Sequence, residues 1–480
     1  MSQTNLLDLG QLKAGRELLW LNPHLRPEAR TADAMGPDAA GLRDAEARWT
    51  RFAPLLEKLF PELAESDGII ESPLVEAEGF RRLLREGYGV DVQGRLFVKH
   101  DADLAVAGSI KARGGIYAVL CFAEQVAIQE GLIPSVGCHA PTPPGGGACG
   151  ESTCPSPQTG KGMAPDTSRA SRDYLALAEP AAREVFSRYE LSVGSTGNLG
   201  MSIGIMGSAL GFTVTVHMSR EAKEWKKRRL RSLGVNVVEH DTDYTAACVE
   251  ARKIAAGDPR IHFIDDENSV ELFLGYSVAA LRTAEQLRQA GFSPDDDHPL
   301  FVYLPCGVGG APGGITFGLK QLYGPAVHCF FAEPTGAPCM TLGMMTRRHA
   351  AASIYDEGLT LATQADGLAV SRPSHFVGQL MESLLAGCYT LSDDRMYRYV
   401  AELHESEGLK VELSAAAGCA GPEMLLRTDA GREYVRRHDL ASRLPRATHV
   451  IWTTGGRFLP PEEFQLLLER AKQIQQGCGG

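Results

Sequence analysis

The chain has 480 residues, 44% hydrophobic and 22% charged; these are ordinary globular values that exclude a single small module and global disorder. Lysine plus arginine number 48 against 59 aspartates and glutamates, a net charge of −11, so no general attraction to phosphate backbones is expected and nucleic acid is not a partner. The eleven cysteines are thinly spread and the N-terminus reads MSQTNLLDLG. With no secretory apolar core and no apolar run near the roughly 20 residues that span a bilayer, the expectation is a reduced, cytoplasmic protein with no membrane partner.

Residues 1–75 read as a mainly helical extension (AEARWTRFAPLLEKLF) without a catalytic cluster. From about Leu96 onward, short β-rich runs alternate with amphipathic stretches, and glycines and prolines fall between them, the pattern of an α/β fold. FTVTVHM, from Phe212 to Met218, predicts a strand, followed by the helix EAKEWKKRRLRSLG, then VNVVEH, a helix around Ala246 to Ala256, and IHFID. The helix SVELFLGYSVAALRTAEQLRQAG comes next, then the strand LFVYLP (Leu300 to Pro305), a glycine cluster, a short helix and the strand VHCFFAEP. Phe376 to Ala401 and Pro461 to Gln475 carry helical periodicity. Strands joined by helical crossovers pair in parallel and bind ligands beyond their carboxyl ends, which predicts two domains of doubly wound, mostly parallel sheets with the site on loops. The expected division is the extension at 1–75, a large domain from 76–115 and 222–480, and a small mobile domain at 116–221.

The segment from Ile133 to Ser171 is rich in proline, glycine, serine and threonine and predicts an irregular loop. Cys138, His139, Cys149 and Cys154 lie in it, but no C-x-x-C pair exists there, so a zinc site is not expected. Gly160-Lys161-Gly162 is not a phosphate loop, because Gly162 stands where the magnesium-binding hydroxyl belongs and Pro155 where the first glycine belongs.

Three segments could carry chemistry. Gly108 to Gly115 (GSIKARGG) follows the strand LFVKHD and opens a helical run with Ser109 as N-cap. Lys111 at that junction, near a helix N-terminus and partly desolvated, would lose its proton more easily, as Schiff-base chemistry requires; a solvated lysine at a helix start has the same sequence. Ser195 to Gly200 (STGNLG) precedes a helix and offers hydroxyls, an amide and free N–H groups, suited to a carboxylate or to plain capping. Cys306 to Gly314 (CGVGGAPGG) follows LFVYLP, and its bare main chain suits a phosphate or a tight turn. A dinucleotide site with Glu333 on the ribose is a rival reading, yet Pro312 falls where G-x-G-x-x-G needs its third glycine.

In order, SIKARGG, STGNLG, the glycine loop and VIWTTGG resemble the serine and threonine dehydratase group of fold type II pyridoxal-phosphate enzymes. GSIKARGGIY, VGSTGNLGMSIGIM, FIDDENS, LFLGYSVA, LPCGVGG, FFAEPT, ADGLAV and TLSD are similar to the D-serine dehydratases within that group, across nearly the whole chain. The resemblance implies β-elimination of D-serine, and more weakly of D-threonine, by a monomeric lyase using pyridoxal 5'-phosphate, with a D-amino acid as its small-molecule partner. It implies that Lys111 forms the internal aldimine and shuttles protons, and that the phosphate lies on Gly307, Val308, Gly309 and Gly310. Asn198 would face the phenolic oxygen, Thr454 the ring nitrogen, and Ser195, Thr196 and Gly197 the substrate carboxylate. Thr196 and Asp266 join Lys111 as catalytic candidates, Asp266 being equally readable as a helix N-cap. Glu333 would bind a monovalent cation (K+ or Na+) or serve as a structural strand-end acid. The leaving hydroxyl would take its proton from the cofactor phosphate or from Asp266. Ala311 stands where the resembling sequences carry glycine, which would cost about 1 kcal/mol if that position needs a positive φ. This substitution and the 133–171 segment motivate a further alternative, an inert binding protein.

Overall fold

The computed structural model describes residues 3–29, 36–134, 174–195, 197–241 and 244–477, with backbone only for 3–7 and 244–247. Eleven strands are described: β1 (Leu19–Leu21), β2 (Leu74–Glu76), β3 (Arg95–His100), β4 (Glu190–Gly194), β5 (Thr213–Ser219), β6 (Asn236–His240), β7 (Ile261–Phe263), β8 (Leu300–Pro305), β9 (Val327–Pro334), β10 (Gly387–Leu391) and β11 (Thr448–Thr453). They form a seven-stranded sheet in the order β1-β10-β9-β8-β11-β3-β2 and a four-stranded sheet in the order β6-β5-β4-β7. The five inner strands of the large sheet run parallel, and β1 and β2 close its edges antiparallel. The small sheet is parallel throughout. The expected α/β architecture of two doubly wound sheets is what the chain adopts.

Local sequence explains the layout. All six residues of LFVYLP are buried, as expected of an inner parallel strand covered by helices on both faces. The following helix Gly310–Tyr323 packs on the helix Val270–Gln289, whose N-terminus Ser269 caps by accepting from Leu272 N at 3.1 Å. Two expectations need correction. The small sheet does not stop at residue 221: β6 and β7 extend it to Phe263, because the strand–helix alternation that starts at β4 continues unbroken through IHF. Phe376 to Ala401 is not continuous helix. The helices His375–Leu384 and Asp393–Glu407 flank β10, a short buried strand (GCYTL) beside β9. The segment 135–173, with Cys138, His139, Cys149 and Cys154, lies outside the described residues. Among the described residues no helix is long and apolar enough to cross a membrane.

One buried ionic knot fixes the end of β3 where the site begins. The Asp101 carboxylate accepts from Arg113 Nε at 2.7 Å and Nη2 at 2.8 Å, from Ser72 Oγ at 2.6 Å and from Trp452 Nε1 at 2.8 Å. Arg113 also donates to Glu71, which takes a further bond from Lys99 Nζ at 2.7 Å. Burial alone would raise the Glu71 carboxyl, but Arg113 and Lys99 outweigh it and hold the group at about 2. A carboxyl lowered on folding stabilises the fold fully above its unfolded value near 4.5, and that contribution fades as pH falls toward about 2. Glu71→Gln is therefore expected to lose about 3 kcal/mol at pH 7. In urea unfolding at pH 7 and pH 3, the gap between parent and variant midpoints should shrink by more than half at the lower pH. A gap independent of pH would contradict the assignment.

Candidate active site

A pocket opens where the two sheets meet, at the carboxyl ends of their strands. Lys111 reaches it from the segment after β3, Gly307 to Gly310 follow β8, and Thr454 follows β11. The small sheet supplies Ser195 and Asn198 after β4 and Asp266 after β7. Residues scattered over more than 340 positions thus share one cavity, Val308 included. Gly197 and Glu333 do not line it, and Thr196 lies outside the described residues.

The glycine loop is shaped to bring bare backbone to the pocket. Gly309 has φ +114°, and a methyl group there would stand 2.4 Å from Met340 Cε. The helix Gly310–Tyr323 starts immediately afterwards, so its unpaired N–H groups and dipole favour an anion at this end of the cavity. Ala311 lies inside the first turn of that helix and is not among the positive-φ residues. Its methyl group is therefore unstrained, which corrects the expected penalty and removes one motive for the inert reading.

The rival dinucleotide reading fails at Glu333. The fully buried carboxylate caps the helix Cys339–Thr346, accepting from Met340 N at 2.7 Å and from Thr341 N and Oγ1 at 2.8 and 2.5 Å. No ribose could reach it. Burial raises the group to about 7 even though these donors pull it down. A cation at Glu333 would have to compete with all three donors.

Lys111 Nζ stands 3.4 Å from Asp266 Oδ2 and 5.6 Å from the centre of the Tyr276 ring, with the lysine side chain 23% exposed and Asp266 8%. Burial works against the ammonium, yet the Asp266 carboxylate and the Tyr276 hydroxyl outweigh it and hold the group above the usual lysine range. The expected loosening of its proton is thus corrected: the paired carboxylate dominates the effects of burial and the helix end. Ser109 does not cap either. Lys111 itself occupies the N-cap position of the π-helical turn Ala112–Ile116, and the buried Ser109 Oγ has no partner. The N-cap reading of Asp266 also falls, because Ser269 caps the next helix. Asp266 Oδ1 and the Tyr276 hydroxyl are buried without hydrogen-bond partners.

Ser195 Oγ accepts from Gly197 N and Gly200 N, both at 2.9 Å, which leaves its own hydrogen to donate. Ile110 N donates to Thr454 O at 2.8 Å, tying the lysine segment to the β11 loop. Asn198 Nδ2 donates to Glu412 Oε1 at 2.6 Å, and Glu412 Oε2 lies 3.6 Å from Lys226 Nζ, which meets Asp366 Oδ2 at 2.8 Å. Glu412, Lys226 and Tyr276 escaped sequence reasoning. Tyr276 and Asp366 sit inside the motifs LFLGYSVA and ADGLAV, but Lys226 reads as one of several lysines on a charged helix and Glu412 as a lone acid.

The family of pyridoxal-phosphate dependent enzymes matches residues 169–435. A probable D-serine dehydratase of Desulfitobacterium hafniense (strain Y51) is 47% identical over 96% of both chains. Another, from Acidovorax sp. (strain JS42), is 49% identical over 97% of this chain and 96% of its own. Holo diaminopropionate ammonia lyase from Escherichia coli shares the fold at TM-score 0.66 and 14% identity, covering 95% of this chain and 98% of the other. The chain belongs to the fold type II family of pyridoxal-phosphate dependent enzymes.

Proposed function

We propose that this ammonia-lyase converts D-serine to pyruvate and ammonia by β-elimination, with D-threonine a weaker substrate. The relatives' shared name supports the substrate. The observation that carries the chemistry is a half-buried amine, Lys111 Nζ, paired with Asp266 in a pocket also lined by the glycine loop.

The residues present fit pyridoxal phosphate. Gly307 to Gly310 line the pocket, with Gly309 in a positive-φ conformation that leaves no room for a side chain behind the loop, and the helix that follows favours a dianionic tail. Lys111 is the amine for the aldehyde, one N–H of Asn198 serves the phenolic oxygen, and the Thr454 hydroxyl serves the ring nitrogen. When bound, the cofactor supplies an electron-poor conjugated ring that accepts the electron pair left at the α-carbon. Lys111 Nζ takes the α-proton. Ser195 donates its free hydrogen to the substrate carboxylate at the positive end of the helix Asn198–Leu210, where Thr196 and Gly197 would add further contacts. The unpartnered Asp266 Oδ1 accepts a hydrogen bond from the substrate's β-hydroxyl, and the α-proton collected by Lys111 Nζ passes through the Asp266 carboxyl to that oxygen, which leaves as water. Thr454 offers the ring a neutral hydroxyl rather than a carboxylate, which disfavours lasting charge at the ring nitrogen and favours prompt loss of the hydroxyl over side reactions.

Purified protein loaded with pyridoxal phosphate should absorb in the visible, lose that absorption on borohydride treatment, and release pyruvate from D-serine well ahead of L-serine. Lys111→Ala should abolish both the visible band and turnover; a colourless variant with full activity would end the proposal. Asp266→Asn should lower kcat on the order of 100-fold or more while the band persists, as loss of a general acid predicts. An unchanged kcat would transfer that role to the cofactor phosphate. Gly309→Ala should weaken cofactor affinity about tenfold or more, through a strained φ and the clash with Met340. Titration of the cofactor-free variant measures this directly, and unaltered affinity would place the phosphate elsewhere.

A further inference from the structure

Lys226 lies on the helix Glu224–Ser232, beside the small sheet, and is 2% exposed. Its ammonium crosses to Asp366 at 2.8 Å and Glu412 at 3.6 Å. Both partners sit on segments packed along the large sheet: Glu412 N donates to Gly455 O at 2.9 Å, just past β11, and Ser414 Oγ accepts from Gly367 N at 3.0 Å. Burial opposes the ammonium, and the two carboxylates more than restore it. The methylene stem also has a task. Gly197 has φ +141°, and a methyl group there would stand 2.4 Å from Lys226 Cδ, so the lysine lies directly on Gly197.

Glu412 extends this contact into the pocket wall. A carboxamide has an NH2 side and an oxygen side, and which one faces a ligand depends on what holds the other. Glu412 can only accept while ionised, so its bond to Asn198 Nδ2 fixes the amide with nitrogen inward and leaves its second hydrogen for an anionic oxygen. A neutral Glu412 would allow the flipped amide, which turns its carbonyl oxygen toward that anion. Filling the seam would not require a charge, since apolar residues of the same volume pack buried sites at least as stably.

We propose that Lys226 and Glu412 are positioning residues: the ammonium bridging the two sheets offsets the burial that favours a neutral Glu412, and Glu412 aims the Asn198 amide while the lysine stem packs on Gly197, whose N–H holds Ser195 Oγ. This rests on Asn198 and Ser195 facing cofactor and substrate as proposed above.

The test uses the full chain loaded with pyridoxal phosphate and compares Lys226→Met, Lys226→Arg, Glu412→Gln and Asp366→Asn. Lys226→Met should shift the visible band of the lysine-bound cofactor and raise KM for D-serine about tenfold or more with a smaller fall in kcat, the split expected when ground-state positioning is lost. Lys226→Arg, which keeps the charge, should restore KM to within about threefold and return the band. Glu412→Gln should shift the band in the same direction. A purely structural lysine would leave both the band and KM in place in the folded variant, and that result overturns the proposal. If Lys226→Met does not fold, Asp366→Asn and Glu412→Gln decide it on the same two readouts. Should the parent release no pyruvate from D-serine, the substrate reading fails, while the band still tests Lys226 and Glu412.

Discussion

Asp101 is a fully buried carboxylate, and the geometry of the pocket depends on what it holds. Its bonds to Arg113 fix the backbone two residues beyond Lys111, and its bond from Trp452 draws in the strand that ends beside Thr454. Register enforces the same alignment, with Trp452 opposite Lys99 and Thr453 opposite His100. The bridge from Ser109 to Gly455 continues it past the strand ends. The amine and the expected ring-nitrogen partner are therefore neighbours because two parallel strands end level and one ionic knot keeps their loops from splaying. An unpaired buried charge at this point would cost several kcal/mol, so the knot is effectively all or nothing.

Charge is arranged differently within the pocket. A lysine whose proton is held more firmly than usual looks ill suited to attack a carbonyl, yet the group that holds it is the one placed to use the proton. Asp266 keeps the ammonium in place through Oδ2 and presents Oδ1 without a partner. The adjacent carboxylate, 3.4 Å away, offers a proton leaving Nζ a path that does not cross bulk water. The Tyr276 ring packs against Gly114, where a methyl group would stand 2.3 Å from the ring carbon bearing the hydroxyl. That contact excludes water behind the lysine and strengthens its interaction with Asp266.

The sequence made part of this legible for a physical reason. Lys111, Asn198, the glycine loop and Thr454 each lie in the connection that follows a strand, where local patterning marks both the strand and the break. The long apolar strands β8 and β9 were readable by the same logic. β10 was not, because GCYTL is brief and sits between two helices whose periodicity runs up to its ends. The small sheet was cut short at residue 221 because nothing local distinguishes a strand joining one sheet from a strand joining another. Ala311 looked like a defect while the loop was imagined to extend over it, and became ordinary once the helix was seen to begin at Gly310. Glu412 and Lys226 had no local signal, since their meaning arises only where segments 186 residues apart touch.

That contact carries the last step. The glycine loop, Lys111 and Thr454 stand on the large sheet, whereas Ser195, Asn198 and Asp266 stand on the small one. The two sets stand on different sheets, so the spacing between them depends on how the sheets are held together. Effective positioning of reacting groups tolerates errors of about 1 Å at most, far less than a hydrophobic seam that can slide would guarantee. Short ionic contacts are directional and fall off sharply once a charge is pulled from its partner into low dielectric. A lysine buried across the seam, bonded on the far side and packed on Gly197 on the near side, supplies the directional restraint that apolar packing lacks.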